Sequence, residues 1–475
     1  MMRKNLFTLL LMTVMPLLIG CGDDDNEEPK VTTTPPKMVA VTPANGATDI
    51  ATGTVDITVE YDQNILFATS SASLINISGG TITRVQSSGK TLAITADCPS
   101  QGTTVSITIP AGLVRNSQQQ GAEAVSFSFT TVQPTVIPPT PGKTPVAATT
   151  AEATRLYNYL WQQYGKKTIS SVMANVNWNN ECAEKVYRLT GKYPAMNCYD
   201  FIHVCFSPAN WIDYTDITPV QKWVNAGGLV QLMWHFNVPK QQGADDYTCT
   251  PSETTFRAAN VFTEGSWENR WFYSQMDKVV ATMLKLQEAD IAATWRPFHE
   301  AAGNATARQQ AGWTKAWFWW GYDGAETYKR LWTTMFDYFK QKGIRNLIWV
   351  WTTQNYNGNS GSFRQDTDWY PGDEYVDIVA RDLYGYSAAS NKKEFDEIQA
   401  AYPDKMVALG ECGRDGSSGT EAARPADFWS AGAHWSHFMV WYQGEQGSTD
   451  TMCSDAWWKA AMSSPDVITR DLLPN

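Results

Sequence analysis

Short segments of alternating apolar and polar residues fill the stretch from residue 38 to residue 133. The alternation is most regular at residues 55–61, 105–109 and 125–129. A half-buried β-strand has this period of two, because successive side chains point to opposite faces of the sheet. Glycine, asparagine and proline separate the segments. The spacing predicts a small all-β sandwich over residues 38–133.

Beyond residue 147 the pattern changes, and continuous apolar runs alternate with segments of helical periodicity. A strand buried on both faces of a parallel sheet is near-continuously hydrophobic. Eight runs have this character, at residues 168–176, 193–201, 229–236, 292–299, 346–352, 376–384, 406–411 and 437–442. Strands that alternate with helices imply a parallel sheet. Eight repeats predict that the sheet closes into a (β/α)₈ TIM barrel over residues 147–475.

Two further segments have the composition of connectors. Residues 134–146 contain five prolines, which predicts a stiff linker between the sandwich and the barrel. Residues 21–37 are acidic and then rich in threonine and proline. Such a composition does not bury enough apolar surface to fold, so we expect a disordered tether there.

Residues 1–20 have the pattern of a secretory signal. Arg3 and Lys4 precede an apolar stretch at 6–19, which is shorter than a membrane span. The stretch ends Leu-Ile-Gly-Cys at Cys21 and resembles the lipobox of bacterial lipoproteins, in which this cysteine is acylated. An acidic cluster at 23–25 resembles the surface-export signal of Bacteroidetes lipoproteins. The resemblance implies a lipid anchor in the outer membrane, on the cell surface or the periplasmic face. A plain signal peptide is the alternative.

Composition narrows the classes of partner. The formal net charge is −11, and no run of Lys and Arg lies outside the extreme N-terminus. A phosphate backbone requires a basic footprint, so nucleic acid is excluded as a partner. The 21 Trp and 20 Tyr suit both core packing and stacking on sugar rings. Seven cysteines remain after Cys21, without tight spacing, which argues against a disulfide framework or a zinc site. We expect no metal and no cofactor.

Polar residues stand at the end of every apolar run. In a (β/α)₈ barrel the carboxyl ends of the strands build the active site. The residues concerned are Asn175, Asn177, Asp200, His235, His299, Glu300, Thr352, Gln354, Asp382, Tyr384, Glu411, Trp441 and Gln443. We therefore expect these side chains to converge on one cleft.

Two carboxylates among them suit glycoside hydrolysis. Glu300 follows the fourth run and Glu411 ends the seventh, and these strands face each other across an eight-stranded barrel. The reaction needs one carboxyl group that is protonated, to donate to the leaving oxygen, and one that is ionised. A separation of about 5–5.5 Å would fit a retaining double displacement.

Three motifs make the sequence recognisable. Residues 295–300 are Trp-Arg-Pro-Phe-His-Glu, residues 317–321 are Trp-Phe-Trp-Trp-Gly, and residues 410–411 are Gly-Glu. Together they resemble glycoside hydrolase family 26, whose commonest activity is endo-β-1,4-mannanase, over roughly residues 150–470. The resemblance implies a polysaccharide substrate: mannan, galactomannan or glucomannan. In the sandwich, residues 41–48 and the strand near residue 129 resemble bacterial Ig-like domains, which are commonly spacers; carbohydrate binding is the alternative.

The family resemblance also implies roles for individual side chains. Glu300 is the acid/base and Glu411 the nucleophile. Sugar contacts at the cleavage site are implied for His235 and His299, a hydrogen bond to the nucleophile for Tyr384, the leaving-group side for Trp317 and a stacking floor for Trp441. Residues 301–316 form a longer insertion than is usual between the first two motifs, so the loop on the leaving-group side is longer.

Other charged residues near the site have more than one interpretation. Arg296 either orients Glu411 or forms a structural ion pair, and Asp200 and Asp382 are candidates for substrate contact. We interpret Asp373, Glu374 and Asp377 as solvated charges, and Glu445 as lying past the eighth strand. His299 has no second histidine four residues later, so no metal signature is present.

Other functions remain open. The same family contains β-1,3-xylanases and mixed-linkage β-glucanases. A catalytically inactive glycan-binding lipoprotein would keep the aromatic residues and lose a carboxylate, whereas Glu300 and Glu411 are both present. In every case we expect a monomer that meets the membrane only through its lipid anchor.

Overall fold

The structure is a computed structural model that describes residues 34–133, 140–175, 178–303, 316–357, 363–416, 418–441 and 452–474. The predictions on Cys21, Asn177, Gln443 and Glu445 lie outside these residues. Among the helices described, none is long and apolar enough to cross a membrane. The chain folds into two compact units, one all-β and one α/β.

The all-β unit is a sandwich of two four-stranded sheets, as predicted. In sheet order, the strands are Met38–Thr42, Gly53–Tyr61, Thr91–Cys98 and Thr81–Ser88 in one sheet, and Ala47–Ile50, Val125–Thr131, Thr104–Ile109 and Asn76–Ser78 in the other. Ile57, Val59 and Tyr61 are buried, whereas Asp56 and Glu60 are exposed. The alternation seen in the sequence therefore builds the core between the sheets.

The α/β unit is a closed barrel of eight parallel strands. They are Thr168–Met173, Met196–Asp200, Leu229–Trp234, Ala293–Pro297, Leu347–Thr353, Ile378–Tyr384, Met406–Gly413 and His437–Val440. The first strand pairs with both the second and the eighth, which closes the barrel. Each strand lies within or overlaps one of the eight predicted runs, so the predicted (β/α)₈ fold is confirmed.

Helices surround the barrel and bury one face each. They are Ala151–Gln163, Glu181–Thr190, Thr218–Asn225, Trp267–Glu288, Trp319–Tyr322, Ala325–Gln341, Ala388–Ala401, Pro425–Ser430 and Asp455–Ser463. The helix Ala325–Gln341 buries Leu331, Met335 and Phe339, which lie at helical spacing. Gly343 ends its last turn with a φ of +83°, a conformation that glycine adopts without strain.

Most of the aromatic residues serve packing. Ten of the 21 tryptophans are almost completely buried: Trp234, Trp295, Trp319, Trp320, Trp332, Trp351, Trp369, Trp435, Trp457 and Trp458. Of the seven cysteines after Cys21, five are buried and two half-buried. The few aromatic rings that remain exposed are therefore the informative ones for ligand binding.

The carboxylate of Asp377 holds the segment before the first helix to the barrel, whereas the sequence pattern indicates a solvated charge at this position. That interpretation of Asp377 is wrong, because its Oδ1 accepts from the Val146 N–H and its Oδ2 from the Trp349 N–H, both at 2.8 Å. Both backbone groups would otherwise lack a partner, which explains why a charge is buried there. Burial raises the pKa of Asp377 to about 6. Asp373 and Glu374 are exposed, as expected.

This contact predicts where the barrel can be separated from the sandwich. We expect a chain that begins at Thr140 to fold. A chain that begins at Ala147 should lose about 1–3 kcal/mol of unfolding free energy, because Asp377 then lacks one donor. Urea denaturation measures both, and Val146→Pro in the longer chain is a control that removes the same N–H donor. Equal stabilities would refute the role of Val146, and an insoluble longer chain would show that the barrel needs the sandwich.

Candidate active site

The guanidinium group of Arg296, at the end of the fourth strand, is buried between two carboxylates. Its Nη1 donates to Asp382 Oδ2 and to Thr352 Oγ1, both at 3.0 Å, and its Nη2 donates to Glu411 Oε1. Burial alone would lower the pKa of Arg296, but the negative charges of Asp382 and Glu411 outweigh this effect. The pKa of Arg296 is therefore raised above its ordinary value. Arg296 thus satisfies both interpretations given above: it forms a structural ion pair with Asp382 and it orients Glu411.

The carboxylate of Glu411 is held on both oxygens. Oε1 accepts from Arg296, and Oε2 accepts from the hydroxyl of Tyr384 at 2.6 Å. Burial, followed by the charge of Glu411, raises the pKa of Tyr384 well above its ordinary value, so the phenol keeps the proton that it donates. Two donors on different oxygens fix the rotamer of Glu411 and compensate its negative charge.

A β-bulge aims Glu411 into the cleft. Arg381 pairs with Leu409 but Asp382 pairs with Glu411, so Gly410 is the extra residue of the seventh strand. A Cβ on Gly410 would lie 2.7 Å from Asp382 Oδ1 and 3.0 Å from the Cβ of Ala380. Any larger residue here would push Asp382 away from Arg296, so the Gly-Glu motif has a steric cause.

Glu300 stands on a backbone turn that non-glycine residues rarely adopt. Phe298 has a φ of +47° and Glu300 a φ of +51°. Such conformations persist only where the surroundings enforce them, and they cluster at functional sites. The short helix Trp319–Tyr322 supplies the support, because Trp320 Nε1 donates to the His299 carbonyl at 2.9 Å. A Cβ on Gly321 would lie 1.9 Å from the carbonyl oxygen of Ala301, so only glycine allows this close approach.

The surroundings of Glu300 favour its protonated form. Burial, followed by the negative charges of Asp382 and Glu411, raises the pKa of Glu300 well above its ordinary value, although Arg296 opposes the shift. Burial likewise raises the pKa of Asp382 to about 7. Arg296 hydrogen-bonds Asp382 and Glu411, so the two glutamates have different environments within one site.

Two histidines stand beside the carboxyl groups. His235 Nδ1 lies 2.6 Å from Asp200 Oδ2, and the His235 backbone N–H donates to Asp200 Oδ1 at 2.9 Å. The carboxylate therefore places the proton on Nδ1 and fixes the ring. The rings of His235 and His299 are 4.4 Å apart at an angle of 76°. Burial, reinforced by His235 and Arg296, lowers the pKa of His299 well below its ordinary value, so this ring is neutral.

Aromatic rings line the cleft around the histidines. Phe318 lies 5.6 Å from His235 and 4.9 Å from His299, and Trp441 lies 5.7 Å from His235. Trp317, expected on the leaving-group side, is 39% exposed, and its neighbour Phe318 is the ring of this motif that contacts both histidines. Phe318 had no predicted role, although its place inside the motif was the available signal.

Comparison with known proteins agrees with this geometry. The sequence model of glycosyl hydrolase family 26 matches residues 145–471. The chain belongs to glycoside hydrolase family 26. A bacterial Ig-like domain matches residues 32–131, which is the sandwich.

Several relatives of this family 26 chain have known structures. The family 26 domain of an endo-β-mannanase/endo-β-glucanase from Prevotella bryantii is 50% identical, with a TM-score of 0.65 over 70% of this chain and 99% of that one. A β-mannanase from a symbiotic protist of the termite Reticulitermes speratus, complexed with a gluco-manno-oligosaccharide, is 31% identical, with a TM-score of 0.55 over 70% and 97%.

A curated relative, the mannan endo-1,4-β-mannosidase of Thermothelomyces thermophilus, is 29% identical over 332 residues. The match covers 67% of this chain and 58% of that protein. A second curated relative, mannan endo-1,4-β-mannosidase A of a Piromyces species, is 28% identical over 68% of this chain and 49% of its own length. This chain thus spans about half the length of the curated relatives that it matches.

The family 26 barrel brings nearly all of the predicted residues to one end of its strands. Glu300, Glu411, His235, His299, Arg296, Asp200, Asp382, Tyr384 and Trp441 are linked by the contacts above. Thr352 accepts a hydrogen bond from Arg296, and Gln354 donates its backbone N–H to Asp366 Oδ2 at 2.7 Å. Within the described part of the chain, no group of three or more His, Cys, Asp or Glu side chains could hold a metal ion.

Proposed function

We propose that this chain is a mannan endo-1,4-β-mannosidase that cleaves mannan, galactomannan or glucomannan with retention of configuration. One observation carries the proposal: Glu411, held by Arg296 and Tyr384, lies in the same site as Glu300, whose surroundings raise its pKa well above the ordinary value. This is the pair of carboxyl groups that a double displacement requires. The choice of mannan rests on the relatives, because both curated relatives cited above carry that activity in their names.

In the first step Glu411 attacks the anomeric carbon. The bond to the leaving oxygen breaks with its electron pair, and that oxygen takes the proton of Glu300. Holding Glu300 protonated near neutral pH is the task of the burial and negative charge around it. The product is a glycosyl ester on Glu411, and the remainder of the polysaccharide leaves as an alcohol.

In the second step Glu300, now ionised, accepts a proton from water, and that water attacks the anomeric carbon. Glu411 leaves with the electron pair of the ester bond. Arg296 and Tyr384 stabilise the negative charge that returns to its oxygens. His235, whose ring Asp200 holds, and neutral His299 orient sugar hydroxyl groups, and Trp441 and Phe318 pack beside the sugar ring.

The substrate class is tested by measuring reducing-sugar release from mannan, β-1,3-xylan and lichenan side by side. We expect mannan to be cleaved with the highest kcat/KM. Faster cleavage of xylan or lichenan would assign the chain to one of the alternative activities of the family. Binding of mannan without any cleavage would favour the inactive glycan-binding alternative.

The roles of the two glutamates are tested with an activated aryl β-mannoside. We expect Glu411→Ala to lose nearly all turnover on every substrate. Glu300→Ala should lose about 10² to 10⁴-fold on mannan, because proton donation is absent. It should retain more activity on the aryl mannoside, whose leaving group needs little protonation. Deglycosylation is then slow, so a burst of aryl alcohol should appear.

Azide provides the stereochemical control, because it needs no general base. Added azide should restore Glu300→Ala and give the β-mannosyl azide of retained configuration. The same anion acting on Glu411→Ala should give only the inverted α-azide. Proton NMR distinguishes the two products, and an α product from Glu300→Ala would mean that the roles are exchanged or that the enzyme inverts.

We also propose that Cys21 is acylated and anchors the protein in the outer membrane, on the cell surface or the periplasmic face, with the Ig-like domain as a spacer. The proposal rests on the sequence at residues 18–21. We further propose that the enzyme acts as a monomer.

The anchor predicts the cellular fraction of a single variant. Cys21→Ala should move the protein from the membrane fraction to a soluble one, because several acyl chains hold firmly and their loss leaves no comparable anchor. Fractionation followed by immunoblotting measures this. A variant that stays in the membrane fraction would show that the lipobox interpretation is wrong.

A further inference from the structure

The loop that follows the second barrel strand exposes two large aromatic side chains. Trp211 is 54% exposed and Phe206 is 41% exposed, whereas most tryptophans of the barrel are buried. A chain that stayed free of ligands would gain solubility by placing polar residues at these two positions. Adjacent exposed rings at the carboxyl-end face of a (β/α)₈ barrel therefore indicate a binding surface.

The rings belong to a continuous row. Trp211 lies 5.7 Å from Phe206, Phe206 lies 5.1 Å from Tyr247, and Tyr247 stacks on Trp271 at 5.3 Å. We call these four residues the aromatic row. The loop after the third strand contributes Tyr247, and the helix Trp267–Glu288 contributes Trp271, so three separate segments of the chain meet here.

The loop that carries Trp211 is fixed before any ligand arrives. Ala209 and Ile212 exchange two backbone hydrogen bonds, at 2.8 and 3.2 Å, so Trp211 stands at the tip of a tight turn. Ile212 is buried. The ammonium group of Lys278 donates to the carbonyls of Val204 and Ser207, at 3.2 and 2.9 Å. Because the ring is already held in place, it loses little conformational entropy when it binds a ligand.

The same loop is continuous with the candidate active site. Tyr214 donates its hydroxyl to the Asp200 carbonyl at 2.6 Å, and the Asp200 carboxylate holds His235. His203, three residues after Asp200, contacts Trp211 with a ring distance of 5.1 Å. The aromatic row thus begins on the side of the cleft formed by the second and third strands.

We infer that Trp211 and its row form a distal subsite that stacks on a pyranose ring of the same β-linked polysaccharide, several units from the scissile bond. The inference rests on the proposed function for its substrate. The row carries no charged side chain of its own, and flat apolar faces with polar surroundings match the face of an uncharged sugar. Binding energy from such remote units contributes to catalysis on long substrates and not on short ones.

The experiment compares Trp211→Ala with the unaltered protein on mannotriose, mannohexaose and soluble mannan. We expect kcat/KM to fall about tenfold on the hexaose and on mannan, and less than about twofold on the triose, since one aromatic contact is lost. Trp211→Phe should restore most of the loss. Tyr187→Ala is the matched control, because Tyr187 is 43% exposed but stacks on Tyr193 in the segment before the second strand.

An equal effect of Trp211→Ala on short and long substrates would overturn the subsite, and so would an unchanged kcat/KM on the hexaose. Calorimetric binding of β-linked manno-, xylo- and gluco-hexaoses separates this result from a failure of the proposed function. If mannan is not cleaved but one hexaose binds in a manner that requires Trp211, the subsite stands and the proposed substrate is wrong. If none of the three binds through Trp211, the subsite is refuted.

Discussion

The buried positive charge of Arg296 is the constraint on which the catalytic end of the barrel depends. A guanidinium group without water must be paired, and its loss or the loss of one partner would cost about 3–5 kcal/mol. Arg296 takes partners from the fifth, sixth and seventh strands: Thr352, Asp382 and Glu411. The same ion pairs that satisfy the charge therefore set the position of the carboxylate that we propose as nucleophile.

Several backbone features follow from that arrangement. Gly410 is required because a side chain there would separate Asp382 from Arg296. Glu300 follows the strand on the opposite side of the barrel. The short helix Trp319–Tyr322 enforces its positive φ, and Gly321 of that helix packs directly on Ala301. Two of the three sequence motifs thus have a physical explanation. Gly410 makes room for the ion pair between Arg296 and Asp382, and Gly321 lets the supporting helix approach the turn that carries Glu300.

The arrangement also gives two chemically identical carboxyl groups different environments. Glu411 has compensating donors on both oxygens, whereas burial and the charges of Asp382 and Glu411 hold the proton on Glu300. Position alone creates this difference between the two glutamates. The neutral His299 and the fixed ring of His235 extend the cleft with hydrogen-bonding groups suited to sugar hydroxyls.

The sandwich, the eight barrel strands and the convergence of Glu300, Glu411, His235 and Tyr384 could be predicted from the sequence, because strand periodicity and the order of strand ends are local properties of the chain. Other features depend on contacts that form only in the folded chain. Asp377 was misjudged and Phe318 was not assigned, since burial and ring orientation depend on segments far away in the sequence. The aromatic row around Trp211 escaped detection for the same reason: its rings come from three segments whose proximity no sequence pattern records.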